Sequence, residues 1–355
     1  NEALGLYRQS GARDGEARVL DDIGLVDYGW GKFADALQSH QQALAIYREI
    51  GDRGGQGRAL SRIGNAYERQ GRYADALQSQ QDAIAFYQQV GDRDGEARSL
   101  TQIGVIQEDQ SKYADSLQSQ TRALALFREV GDRDGEARAL RGIATVAYGQ
   151  GRYADALQSF QQALTLFTEM GDRDGETKAL NGIASVRFRQ ARYDDALQAG
   201  QQALAYARES GDRDSEGSAL RNLGAVAYEQ QRYADAQQFE QQALAIFREL
   251  GDRDGEARTV NSIGNIAYEQ AQYAEALRSD LQALATFREL GDRAGEARAT
   301  QSVANVALKQ GRYDDALQSY QQALTLFKQL GDEADAARVS DIIAKIEAHR
   351  RHSGP

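Results

Sequence analysis

Apolar and polar positions recur along the chain with a period of forty residues. Residues 131–170, GDRDGEARALRGIATVAYGQGRYADALQSFQQALTLFTEM, show one complete period. Leu140, Ile143, Ala144 and Ala147 stand at i, i+3, i+4 and i+7, one apolar stripe along a helix. A second stripe holds Ala156 and Ala163, seven residues apart, with Tyr153 and Phe167 toward its ends. The period therefore predicts two helices of about seventeen residues, each ~25 Å long. Gly131-Asp132 predicts the joint before them: glycine suits the left-handed residue that closes a helix, and aspartate suits the N-cap of the next. Gly151-Arg152, replaced elsewhere by Ala191-Arg192 and Gln231-Arg232, predicts the turn between the two helices.

The segment GDRDGEAR appears at 91–98, 131–138 and 251–258, with variants beginning at 11, 51, 171, 211 and 291. Eight units follow, from 11–50 to 291–330. Residues 1–10 match the end of a preceding unit, 331–349 match the first helix of a ninth, and 350–355 form a tail. Such self-similarity predicts an all-α solenoid of some seventeen helices. One small residue per first helix (Gly24, Gly64, Gly104, Ala144, Ala184, Gly224, Gly264, Ala304) is expected to oppose small residues such as Ala156 on the second. The fifth unit is expected to be the weakest, because Ala207 and Ser210 replace the larger apolar residues of its neighbours.

Composition narrows the function classes. The only proline is Pro355, so nothing interrupts the helices, and 53 acidic against 42 basic residues give a net charge of -11, which opposes nucleic-acid or anionic-lipid binding. There is no cysteine and no apolar run of membrane-spanning length, so a cytoplasmic protein is expected. The chain begins without Met in mid-repeat and reads as an excised piece of a longer protein. The three histidines, His40, His349 and His352, show no acidic or nucleophilic constellation around them in sequence. DRDG lacks the glycine position and closing Glu of a calcium loop, so capping is its expected role. No enzymatic activity, cofactor or metal is expected.

A large residue, a branched one three on, Gly or Ala next, Ala after the turn and Ala again seven on is similar to the tetratricopeptide repeat pattern. The forty-residue period, the GDR joint and segments such as IGNAYERQGRY resemble the branch found in Pins-type adaptors, kinesin light chains and bacterial signalling arrays. Two departures stand out: Leu140 and its equivalents replace the usual Trp, and the closing Pro is missing. The resemblance implies a right-handed alpha-alpha superhelix whose concave face binds a protein or an extended peptide.

At 100° per residue, the first helix has one further flank that would line such a groove. In the fourth unit it carries Arg138, Arg141, Thr145 and Tyr148. The residues expected to meet a ligand are Asn65, Arg98, Arg138, Arg141, Tyr148, Asn181 and Arg221, together with Tyr228, Arg258, Asn261, Asn265, Tyr268, Arg298 and Asn305. Arg forks grip carboxylates, Asn pairs with a peptide backbone, and Tyr offers flat area at low entropic cost. An alternative stays open at each: the Arg row would bridge carboxylates of its own or the next repeat, and the tyrosines would pack on the adjacent repeat. Two functions remain, a binding scaffold serving as the interaction or sensor arm of a signalling protein, or a scaffold that self-associates through its repeat ends.

Overall fold

The computed structural model describes residues 2–110 and 112–352, and side chains through Arg350. These residues form eighteen helices and no strand. Residues 353–355 of the expected tail, and Asn1 of the leading partial unit, lie outside the described residues. By contacts the chain divides into two compact units, 1–182 and 183–355.

The first unit opens with α1 (Glu2–Ser10), followed by α2 (Arg13–Gly29) and α3 (Phe33–Ile50), α4 (Arg53–Arg69) and α5 (Tyr73–Val90). It continues through α6 (Arg93–Asp109), α7 (Tyr113–Val130), α8 (Arg133–Gly149), α9 (Tyr153–Met170) and the beginning of α10 (Arg173–Arg189). The second unit holds the rest of α10, then α11 (Tyr193–Ser210), α12 (Arg213–Glu229), α13 (Tyr233–Leu250), α14 (Arg253–Glu269) and α15 (Tyr273–Leu290). It ends with α16 (Arg293–Lys309), α17 (Tyr313–Leu330) and α18 (Glu333–His352), which extends the predicted terminal helix into the expected tail.

Each residue of the GDR joint has a separate task. Gly131 and its equivalents close the second helix at φ near 75°. The Asp132 side chain then accepts the Gly135 N–H at 3.0 Å, satisfying one of the orphan donors at the start of α8. The arginine reaches two carboxylates: Arg213 pairs with Glu216 three residues on and with Glu249 at 2.8 Å on the following second helix. Gly135 answers a steric demand, since an ideal Cβ there would lie 2.2 Å from the Phe127 ring. The missing side chain lets that aromatic ring lie over the first turn of the next helix.

The core of each unit is a run of small clusters and not one central mass, as expected where every repeat touches only its neighbours. In the first unit Ala97, Leu100, Ala123, Phe127, Ala137, Leu140 and Phe167 share one cluster. In the second, Val306 packs on Ala267 and Ala276 of the preceding repeat. Val26, the same position in the first repeat, is half exposed.

Among the described residues, three first-to-second-helix turns use a non-glycine residue in the left-handed region: Ala191, Gln231 and Ala271, at φ of 57–60°. That conformation costs an L-residue ~1–2 kcal/mol. Replacing Ala271 by Gly is expected to raise stability by ~1 kcal/mol in chemical denaturation; an unchanged midpoint would show that the turn is unstrained. In the fifth repeat Gly200 and Ala207 leave α11 with only small side chains at its buried positions, whereas Ser210, expected to add to the deficit, stands at a place that is exposed in every repeat. Hydrogen exchange, terminal repeats apart, is expected to be fastest between about 190 and 220, and uniform protection there would count against a local weakness.

Candidate functional site

On the predicted flank of each first helix, the outermost position is mostly exposed and the other three are mostly half-buried. The Arg row is engaged with the protein's own carboxylates. Arg98 bonds Asp94 at 2.8 Å and the next repeat's capping Asp132 at 2.8 Å, and Arg258 does the same with Asp254 and Asp292, both at 2.7 Å. Arg138 pairs with Asp134 at 2.8 Å, and Arg298 is exposed. This bridging is the alternative left open for the row. Tyr148, Tyr228 and Tyr268 rest against Tyr153, Tyr233 and Tyr273, with ring centroids 5.8–5.9 Å apart, and Tyr228 also reaches Glu269 at 3.4 Å. Their packing leaves them half-buried.

Beneath this flank lies a set of residues that the apolar pattern did not reveal. His40, Gln80, Gln120, Phe160, Gly200, Glu240, Asp280 and Tyr320 occupy one position of the second helix, and all are buried. Several of them hydrogen-bond residues of this flank from below. Gln80 donates to the Asn65 Oδ1 at 2.7 Å, Asn261 donates to Asp280 at 2.9 Å, and the Tyr320 hydroxyl donates to the Asn305 Oδ1 at 2.6 Å. Asn265 Oδ1 accepts from Ser302 Oγ of the next repeat at 3.1 Å. Asn181 is half-buried on the part of α10 that belongs to the first unit.

The expectation that His40 stands apart from acidic groups needs correction. Its Nδ1 lies 2.7 Å from buried Asp21, which also meets Arg62 at 2.6 Å. Folding brings together residues nineteen apart in sequence, a separation that inspection of sequence neighbours does not reach.

The small position of the first helix also faces more than alanines. An ideal Cβ on Gly24 would lie 2.5 Å from the His40 ring, and one on Gly264 would lie 2.3 Å from Asp280 Oδ1. Gly64, Gly104 and Gly224 meet Gln80, Gln120 and Glu240 in the same way. Where the first helix has Ala144, Ala184 or Ala304, the facing residue is Phe160, Gly200 or Tyr320. Glycine thus accompanies each polar occupant, making room for its head group against the helix backbone. This pairing was readable in the sequence as two columns sixteen residues apart.

The electrostatics differ between the units. In the first, burial pushes the Glu108 carboxyl up to about 7, helped by Asp109 and opposed by Arg141. In the second, burial raises Glu240 to about 8 and Asp280 to about 7, with Arg221 and Asn261 respectively pulling the other way. Burial also lowers Arg141 and Arg221. Neither guanidinium forms a hydrogen bond or ion pair among the described residues. By contrast, Glu296 is lowered: desolvation would raise it, but Arg288 and Arg293, both at 2.9 Å, outweigh that cost. Among the described residues there is no group of three or more His, Asp or Glu side chains placed to hold a metal ion.

The tetratricopeptide repeat family profile matches residues 55–129, 106–169, 176–249 and 255–329, and the chain belongs to that family. No curated protein matches the sequence. Among solved structures, the apo form of RapI is 14% identical and superposes with a TM-score of 0.65 over 78% of this chain and 99% of its own. A Rap protein complexed with competence and sporulation factor is 15% identical, with a TM-score of 0.63 over 96% and 100%. A signal-transduction ATPase with a tetratricopeptide repeat sensor from Pyrococcus horikoshii is 11% identical, with a TM-score of 0.61 over 92% of this chain and 50% of its own. At these identities the likeness is one of fold.

The raised carboxyls set the direction of a pH dependence. Glu108, Glu240 and Asp280 keep protons in the folded state that the unfolded chain releases near its ordinary carboxylate range. Their contribution to stability is complete below that range and is lost as pH rises toward about 8. Thermal stability is therefore expected to fall steadily from about pH 5 to about pH 8. Asp280→Asn should flatten part of that slope and gain up to a few kcal/mol at the alkaline end, on a scale of ~1.4 kcal/mol per pKa unit. A slope unchanged by the substitution would remove Asp280 as its source.

Proposed function

We propose that this chain is a protein-binding scaffold whose first-helix flank takes an extended, acidic-leaning peptide segment, with the sixth to eighth repeats contributing most. One observation carries the reading. Asn65, Asn265 and Asn305 each spend the carbonyl oxygen on an internal donor, which turns the amide N–H groups to serve an incoming peptide carbonyl. Arg141 and Arg221, each without an internal carboxylate partner, supply the preference for acidic segments. The fold-level likeness to a Rap protein solved with competence and sporulation factor supports a ligand-binding role, and the likeness to an ATPase with a tetratricopeptide repeat sensor supports placement as the sensor arm of a larger cytoplasmic signalling protein. In this reading residues 11–330 form eight binding repeats, 1–10 a partial repeat, 331–349 a capping helix and 350–355 a tail.

Replacing Asn265 and Asn305 together by Ala is expected to weaken capture of the partner by a few kcal/mol, at ~1–3 kcal/mol for each peptide group left unsatisfied. Unchanged affinity, or a partner footprint confined to the second helices, would overturn the groove reading. A second reading has its own observation: Leu6, Tyr7, Leu25, Val26 and Trp30 are exposed at the N-terminal end, with Trp30 69% accessible. That end face favours self-association of the chain. Light scattering that reports a monomer, unaffected by Trp30→Gln, would remove it.

A further inference from the structure

The sixth repeat contains a half-buried base and a buried acid that do not pair. The Arg221 Nε on α12 and the Glu240 Oε2 on α13 are both shut away from water without a hydrogen-bond partner. No ion pair joins the two side chains, although each feels the other's charge. Glu240 is 2% exposed, in a position that is aromatic in the fourth and eighth repeats. Its carboxyl rests on the backbone of α12 at Gly224, where an ideal Cβ would come within 2.9 Å of Oε1. A polar group placed so, at the cost of desolvation, has a partner missing in the free protein.

The neighbours leave few alternatives. The helices packed against α13 are α12 and α14. From α12 the charged group facing Glu240 is Arg221, and from α14 the facing group is the Ser262 hydroxyl. Arg221 itself feels Arg258, Asp254 and Asp252 on or before α14. Both acids are occupied: Asp254 pairs with Arg258 at 2.7 Å, and Asp252 caps α14 through the N–H groups of Asp254 and Gly255. Of the carboxyls whose charge Arg221 feels, that of Glu240 alone keeps a buried oxygen without a hydrogen-bond partner.

We propose that Glu240 sets the specificity of this repeat by proton-linked competition for Arg221: neutral, it leaves the guanidinium to a carboxylate of the bound peptide, and ionised, it takes the guanidinium for itself. This inference rests on the groove reading above and adds its regulation. A carboxylate on Arg221 cancels the positive charge that favours ionised Glu240, so peptide binding and proton uptake by Glu240 assist each other. Burial already holds Glu240 near about 8 in the free protein. Affinity for an acidic segment therefore falls as pH rises past neutrality, while affinity for its uncharged analogue does not.

The test uses the full chain and two blocked heptapeptides, one alternating Ala with Glu and one alternating Ala with Gln. Calorimetry in buffers of different ionisation enthalpy counts the protons exchanged. Near pH 9 the wild type is expected to take up close to one proton with the Glu peptide, and to bind it about tenfold more weakly there than near pH 7, where uptake should be small. Glu240→Gln should bind the Glu peptide with no proton uptake and a flat pH profile. Arg221→Gln should lose at least about tenfold for the Glu peptide and little for the Gln peptide. If Glu240→Gln keeps the wild-type pH profile, or Arg221→Gln keeps the preference for Glu, the inference falls while the groove reading stands. If neither peptide binds the wild type at any pH, both fall. Should a variant fail to fold, carboxyl-carbon NMR of the wild type decides: the Glu240 titration midpoint must move to higher pH in the Glu-peptide complex, and a fixed midpoint overturns the proposal.

Discussion

The structure depends on a contact made inside the repeats, where the small residue of the first helix faces the position sixteen residues later on the second, which carries a side chain in every repeat but the fifth. The small residue sets how closely the two helices approach, and the facing side chain sets what fills the gap. Phe160 and Tyr320 fill it with aromatic volume; His40, Gln80, Gln120, Glu240 and Asp280 fill it with polar groups. Burying such groups without partners costs several kcal/mol in apolar surroundings, so the helix above must supply them. Asn65, Asn261 and Asp21 do so, and in doing so they acquire fixed orientations on the flank where a ligand would lie.

Core and candidate site are consequently one system. In most folds the residues that hold the scaffold together can be separated from those that meet a partner. Here one layer of side chains serves both ends: its inner atoms satisfy the core, and its outer atoms are what remains for binding. Chemistry on the flank varies between repeats because the buried residue beneath varies, while the GDR joints and the alanine contacts stay constant.

Much of this was legible in the sequence, and the limits have physical reasons. The joints were readable because Gly131 and Asp132 each do something that depends on neighbours close in sequence, a left-handed φ and an N-cap, whereas Arg133 reaches Glu169, thirty-six residues away, which only folding brings near. The stripe of Leu140, Ile143, Ala144 and Ala147 was readable because helix geometry fixes which residues share a face. The layer below the flank was not found, because a variable polar residue on an amphipathic helix reads as a solvated one. Only its coupling to the Gly or Ala of the other column marks Glu240 and Asp280 as buried. The fate of the Arg row was open for a similar reason: Arg98 reaches Asp132, thirty-four residues away, and only the stacking of repeats brings the two within 2.8 Å.

The buried side chains also bear on how so repetitive a chain finds its own order. Three repeats carry the same GDRDGEAR segment, and their alanine faces are nearly interchangeable, so a first helix could dock on the second helix of the wrong repeat at little loss of apolar contact. The polar occupants make those exchanges unequal. Asp280 finds its donor in Asn261, whereas the aspartate His40 touches would be replaced in a shifted pairing by a residue such as Ser61 or Thr101. A helix seated one repeat out of place would leave a buried acid or imidazole unmatched and would be rejected. Each repeat thus carries its own address in its interior, and substitutions that make these occupants alike should be read as erasing the order of the chain before they weaken any single contact.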